Sequence, residues 1–168
     1  MYNKDVIVRK AEKNDYERIL DILNMSIRER KVTALLTPVT MESRKQWFKD
    51  HEDGIHRIFI AELEGEVVGW MAINAYRSGR EGFNKACEVS YYIDPVYHGL
   101  GIGSTLMQHV IDVSRRAGLK HLMLVIFSNN AKSLGLAHKF NFRIWGTFPG
   151  IVEIDNQTTD CYQLGLKL

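Results

Sequence analysis

Cysteine is scarce in this chain of 168 residues, which has only Cys87 and Cys161. Two cysteines make neither a disulfide framework nor a zinc site. Both fall in stretches predicted as strands, where a buried thiol is the ordinary reading. Long apolar runs are missing too. The longest, Leu122 to Phe127, falls far short of the roughly 20 residues a membrane-spanning helix needs. The N-terminal stretch MYNKDVIVRKAEKND lacks the apolar centre of a signal peptide. There is no excess of charge. The chain has 22 Lys and Arg against 20 Asp and Glu, a net charge of +2. That is too little to argue for nucleic acid or an anionic membrane. The six histidines make the balance more positive in acid. No Gly-Lys dipeptide occurs, which excludes a Walker loop. A Rossmann fingerprint starting at Gly101 would need glycine where Leu106 stands. His51 and His56 lie away from any carboxylate cluster in the sequence, so no metal site is expected.

With 45% hydrophobic and 25% charged residues the composition is that of a globular protein. The length suits one domain, 1–168, and the expected location is cytoplasmic. The stretch Glu88 to Ser104, EVSYYIDPVYHGLGIGS, organises the rest. Alternation sets Val89, Tyr91 and Ile93 on one face of a strand and Glu88, Ser90 and Tyr92 on the other. Asp94-Pro95 stops the strand. Gly99, Gly101 and Gly103 follow, and then a helical pattern begins. Without Cβ atoms, a glycine-rich backbone brings its N–H groups close to an anion. The first turn of the helix adds unpaired N–H groups and the positive end of a dipole. Together they predict a cradle for a pyrophosphate.

Along the chain, Val6 to Arg9 reads as a strand. Asn14 and Glu17 read as a capping box that opens a helix running to about Arg30, with Tyr16, Ile19, Leu20, Leu23 and Ile27 on its apolar face. A loop from Lys31 to Val39 leads to a second helix that starts at Thr40, with Glu42 behind it. Arg57 to Leu63 and Val67 to Tyr76 are strands joined at Glu64-Gly65. Ser78 to Lys85 is a loop. Ile102, Leu106, Val110, Val113 and Ala117 step at helical spacing, and Gly118 ends that helix. His121 to Phe127 reads as a strand covered on both faces. Asn130 caps a fourth helix reaching about Phe140, and Arg143 to Phe148 and Asp160 to Leu168 close the chain as strands. The order β-α-α-β-β-β-α-β-α-β-β gives an α/β fold with a mixed sheet.

The loop His98-Gly99-Leu100-Gly101-Ile102-Gly103 resembles the acyl-CoA loop of the GCN5-related N-acetyltransferase (GNAT) family, with histidine where that family has glutamine or arginine. The chain as a whole is similar to the branch typified by phosphinothricin acetyltransferase. Val39 to Glu42 with Trp47-Phe48, Gly65 to Trp70, Glu88 to Tyr92, and Asn130 to Ser133 with Leu136 and Phe142 carry that likeness. The resemblance implies a single-domain, mostly antiparallel sheet of about seven strands with four helices. It also implies a V-shaped splay between the strands at 88–93 and 121–127, where the pantetheine arm would lie. Three departures are present. Ala137 stands where many members carry tyrosine or histidine, with His138 beside it. Asn141 replaces the usual glycine, at a C-cap position that asparagine tolerates. Ile154 to Thr159 replaces a basic and aromatic run that borders the acceptor pocket, which argues against a phosphinothricin acceptor.

The resemblance implies an acetyl-CoA-dependent N-acetyltransferase that moves an acetyl group directly to the primary amine of a small molecule. The cofactor would be held by Tyr91, Tyr92, Ile93, His98, Gly99, Leu100, Gly101, Ile102, Gly103, Ser104, Asn130 and Ser133. Glu88 is the expected general base, since a protonated amine must lose a proton before it attacks. Its alternative is a hydrogen-bonded carboxylate at a strand end. Thiolate protonation is left to water, Tyr92 or His138. Trp47 and Phe48 read as core residues or as walls of the acceptor site. Other readings are a catalytically idle acyl-CoA-binding or sensor module, which Ala137 favours, and a protein N-acetyltransferase. The expected partners are a small-molecule amine, with no nucleic acid and no membrane. A homodimer is left open.

Overall fold

The computed structural model describes residues 5–168. The elements are β1 (Ile7–Lys10), α1 (Tyr16–Glu29), α2 (Met41–Asp50), β2 (Ile58–Leu63), β3 (Glu66–Ala75), β4 (Ala86–Ile93), α3 (Ile102–Arg116), β5 (His121–Phe127), α4 (Ala131–Lys139), β6 (Arg143–Ile154) and β7 (Gln157–Lys167). Their order is the expected one. They form a single seven-stranded sheet in the order β1-β2-β3-β4-β5-β7-β6. Every pair is antiparallel except β4–β5, which is parallel.

Strand alternation splits the core in two. Phe59, Ala61 and Leu63 of β2 pack with Leu106, Met107 and Val110 of α3, and Ala137 of α4 belongs to the same cluster. Ile58 and Ile60 point the other way, with Ile19, Leu23 and Ile27 of α1 and Phe48 of α2. The central strands are therefore buried on both faces. β5 is an exception to the expectation of full cover. Its Val125 is 51% exposed, because no helix covers that position.

The helix starts differ in detail from the sequence reading. The chain enters α1 through a short 3-10 turn, Lys13–Asp15, and not at an Asn14–Glu17 box. Asp15 accepts from the Glu12 backbone N–H at 2.7 Å and from Arg9 Nη1 and Nη2 at 2.7 and 2.9 Å. The strand-borne guanidinium fixes the carboxylate, and the carboxylate fixes the turn. At α2 the expected Thr40 start with Glu42 in the first turn is present, and Ser43 adds a capping box: Thr40 Oγ1 accepts from the Ser43 N–H at 3.2 Å and Ser43 Oγ accepts from the Thr40 N–H at 2.9 Å.

The closing strands are longer than the sequence suggests. β6 continues past Phe148 to Ile154, with a bulge between Phe148 and Val152. A turn at Asp155-Asn156, with φ of 50° and 63°, then leads straight into β7. Such a turn is usually marked by glycine, and the Asp-Asn pair hides it. Trp145 lies against Gly165, where a Cβ would come within 2.2 Å of the ring.

Candidate active site

The parallel pair β4–β5 is short. Ala86, Cys87 and Glu88 register with His121, Leu122 and Met123, and beyond that point the strands part. The expected V-shaped splay is present, and it opens a cleft of 850 Å³. One edge of β4 from Ser90 onward thus has no strand partner, and unpaired backbone groups call for a ligand or water. The cleft is bounded by β4, by Leu124 to Phe127 of β5, by the end of α1 with Val32 to Ala34, by the glycine loop and by one side of α4.

The glycine loop is anchored from beneath. Asp94, 4% exposed, ends β4. It pairs with Arg18 of α1 at 2.5 Å and accepts from the Val96 N–H at 2.9 Å. Arg18 also donates to the Val67 carbonyl, which ties α1, β3 and the loop together. Gly99 and Gly101 have φ of 83° and 80°, a conformation that side chains strain. Gly101 is the N-cap of α3 and offers no side-chain acceptor, so the first N–H groups of that helix remain available. Ile102, Gly103 and Ser104 line the cleft there. Leu100 is 58% exposed and does not line it, which leaves only its backbone for a ligand. His98 shapes the loop, with Nε2 at 3.1 Å from the Ile93 carbonyl and Nδ1 at 3.4 Å from Lys132 Nζ.

Asn130 caps α4 by accepting from the Ser133 N–H at 3.1 Å. The same helix turns Lys132, Leu136 and Lys139 toward the glycine loop, and Lys139 donates to Ser104 Oγ at 2.9 Å. The two lysines supply the positive charge that a histidine-led loop lacks. The sequence reading missed them. Their signal was the spacing 132, 136, 139, which is one face of a helix.

The two faces of β4 carry different side chains. Glu88 and Tyr92 lie on the α1/α2 side. Burial raises the Glu88 carboxyl above its ordinary range. Burial also raises the Tyr92 phenol, against the opposing pull of a Thr33 hydrogen bond and the Arg44 charge. Behind Glu88 stands a polar brace. Asn74 of β3 donates to the Glu88 carbonyl at 3.2 Å and to Ser90 Oγ at 3.1 Å. Its own carbonyl meets Trp47 Nε1 at 3.2 Å and His51 Nε2 at 3.1 Å. Trp47 and Phe48 are thus core residues and do not line the cleft. Among the described residues, no group of three His, Cys, Asp or Glu side chains could hold a metal.

Tyr91 and Ile93 face α3 and α4. The Tyr91 hydroxyl is buried and has no hydrogen-bond partner of proper geometry. Burial raises its pKa and prevails over the opposing pull of nearby Ser133. Ala137 is fully buried and takes no part in the cleft. His138 is exposed and lies outside the cleft lining. The 154–159 stretch forms the β6–β7 turn, also outside the lining, with Asp155 at 3.9 Å from Arg30.

A splayed parallel pair, with a glycine-rich loop and a helix N-terminus at its mouth, makes a cleft suited to a pyrophosphate-bearing ligand with an extended arm. The model of the acetyltransferase (GNAT) family matches residues 17–142, and the chain belongs to that family. It is an N-acetyltransferase whose co-substrate is acetyl-CoA. A Bacillus subtilis (strain 168) protein provisionally named as a phosphinothricin acetyltransferase is 40% identical over 162 residues, 96% of this chain and 98% of the relative. An L-methionine sulfoximine/L-methionine sulfone acetyltransferase of Pseudomonas aeruginosa is 32% identical, covering 86% of this chain and 84% of its own. A Salmonella typhimurium protein provisionally named as an acetyltransferase, solved with acetyl-CoA, superposes with a TM-score of 0.91 at 26% identity, over 97% of this chain and 94% of that one.

Proposed function

We propose that this chain, acting as one domain over 1–168, acetylates the primary amine of a small amino-acid-like molecule by direct attack on acetyl-CoA. The observation that carries the reading is Glu88. It is half-buried, burial raises the pKa of its carboxyl, and it lies at the point where β4 and β5 part. Relatives named for phosphinothricin and methionine sulfoximine support an amino-acid-like acceptor. Acetyl-CoA supplies the activated acetyl group. The chain's own residues do the rest. Gly99, Gly101 and the N–H groups opening α3 hold the pyrophosphate, with Lys132 and Lys139 adding charge. The free edge of β4 at Tyr91, Tyr92 and Ile93 pairs with the pantetheine amides, while Asn130 and Ser133 flank it. Glu88 accepts the amine proton directly or through water, and Tyr92, on the same face, orders the acceptor beside Thr33.

The acceptor enters from the α1 side, past Glu29 and Thr33, which line that end of the cleft. No described helix is long and apolar enough to cross a membrane. A cytoplasmic site of action accompanies this reading. The test is a panel of amino acids and their sulfoximine, sulfone and phosphinyl analogues with acetyl-CoA, read by free-thiol release. Turnover with at least one α-amino acid analogue is expected. Burial of Ala137 favours a second reading, an acyl-CoA-binding sensor, because α4 presents no proton donor at that position. Tight acetyl-CoA binding without thiol release from any amine would establish the sensor instead.

A further inference from the structure

The cleft contains a buried hydroxyl without a partner. We propose that Tyr91 is the acid that protonates the departing thiolate of CoA. The inference rests on the acetyl-transfer reading above and assigns a step which that reading leaves open.

Tyr91 lines the cleft, and its hydroxyl is the one phenol among the described residues that is buried with no hydrogen-bond partner. An unpaired buried hydroxyl is unfavourable, and such a group on a cleft wall marks a place where a bound molecule completes the pairing. Alternation along β4 sets the direction. Glu88 and Tyr92 point to the α1/α2 side and Tyr91 to the α3/α4 side, so base and acid approach the strand edge from opposite faces. Attack on the carbonyl and loss of sulfur need that separation. The other candidates are out of place. His138 is exposed and outside the cleft, Ala137 has no proton to give, and Tyr92 shares the face of the base. The polar neighbours of the Tyr91 phenol are Ser133 on α4 and Tyr92 on its own strand. Burial keeps it protonated at neutral pH, so it is a donor when the thioester opens.

The step balances. The C–N bond forms and the C–S bond breaks, with its electron pair going to sulfur. The phenolic proton of Tyr91 moves to that sulfur and gives the CoA thiol. The tyrosinate recovers a proton from solvent, and the proton lost by the amine leaves through Glu88.

The test is Tyr91→Phe, which keeps the ring and removes the donor. Its first readout needs no acceptor. The thiol of bound CoA is titrated by its ultraviolet thiolate absorbance. A donating phenol stabilises the thiolate, so ionisation in Tyr91→Phe should move up by about one pH unit or more. The second readout is kcat against pH. The variant should lose about 10²–10⁴-fold at neutral pH. The loss should shrink above the ordinary thiol pKa of about 8.5, where the thiolate leaves unaided. Tyr91→His, which restores a donor, should recover part of kcat. Equal thiol ionisation in wild type and Tyr91→Phe would overturn the assignment. So would a loss of kcat that is constant with pH, since that is the mark of a packing role. Failure of wild-type protein to bind CoA at all would instead remove the acetyl-transfer reading on which the assignment stands.

Discussion

Burial lifts the Glu88 carboxyl toward neutral pH, and this bears on rate and stability in opposite ways. For rate, only the ionised form accepts a proton. The kcat/KM profile should therefore fall on its acid side through a pKa above the ordinary carboxylate range. Glu88→Gln should lower kcat by about 10²–10⁴-fold and erase that limb, with the deficit narrowing at high pH as the amine becomes neutral by itself. For stability, a folded pKa above the unfolded one means that the folded state binds more protons in the window between them. The protein then loses stability as pH rises through that window. Removing the charge should raise the melting temperature at neutral pH, and a thermal scan of wild type and Glu88→Gln checks it. Asp15 has the reverse sign. Burial opposes its charge, but hydrogen bonds from Arg9 and the Glu12 N–H prevail and hold its pKa down. Its contribution is present above the unfolded pKa and is lost as pH falls through the folded one. Asp15→Asn should cost ~1.5–3 kcal/mol at neutral pH, and the gap to wild type should close in acid, as denaturant titration would show. Cys87 needs no functional account. Burial pushes its thiol up to about 11, so alkylating reagents should leave it unmodified in the folded protein.

At the scale of elements, the unit from β4 to α3 works because the loop between them is anchored at one end and free of side chains at the other. Gly101→Ala places a Cβ at φ 80° and should cost about 1 kcal/mol of strain while weakening CoA binding. Gly103→Val meets Leu136 Cδ2, where the first Cβ atom alone would stand at 3.1 Å. That methyl is at the tip of a flexible side chain, so the fold should survive while calorimetry finds CoA affinity much reduced. Lys132→Ala with Lys139→Ala should lower affinity and flatten its salt dependence. This unit was the most legible part of the chain. Alternation, proline, three glycines and a clean helical period agree locally from Glu88 to Gly118, and local agreement is what a sequence displays. Asn130 was legible for the same reason. The entry to α1 was not, because its cap depends on Arg9 reaching over from another element. Nor was the length of β6, because Pro149-Gly150 reads as a stop while the structure absorbs both in a bulge. The isolation of the Tyr91 hydroxyl also lay beyond sequence, since an absent partner is a property of the assembled core.

At the scale of the whole molecule, the site depends on a sheet that is deliberately incomplete. Strands β1 to β4 and strands β5 to β7 are joined along the sheet by three residue pairs only, Ala86 to Glu88 with His121 to Met123. A molecule lying in the gap acts as a splint between two half-sheets. Its binding should therefore be felt as cohesion throughout the fold. With free ligand at 100 times its dissociation constant, linkage alone adds about 2.7 kcal/mol. Deuterium uptake should show where that gain is placed. Within Ser90 to Ile93 and Leu124 to Phe127, the alternate amides that point into the gap, and not toward β3 or β7, should exchange quickly in the free protein and slow together when CoA is added, whereas β2 and β3 should change little. A free protein in which both borders of the gap already resist exchange would mean that the halves hold each other without help. If they do not, the empty molecule should breathe along this seam, and proteolysis in the absence of CoA should divide the chain between β4 and β5.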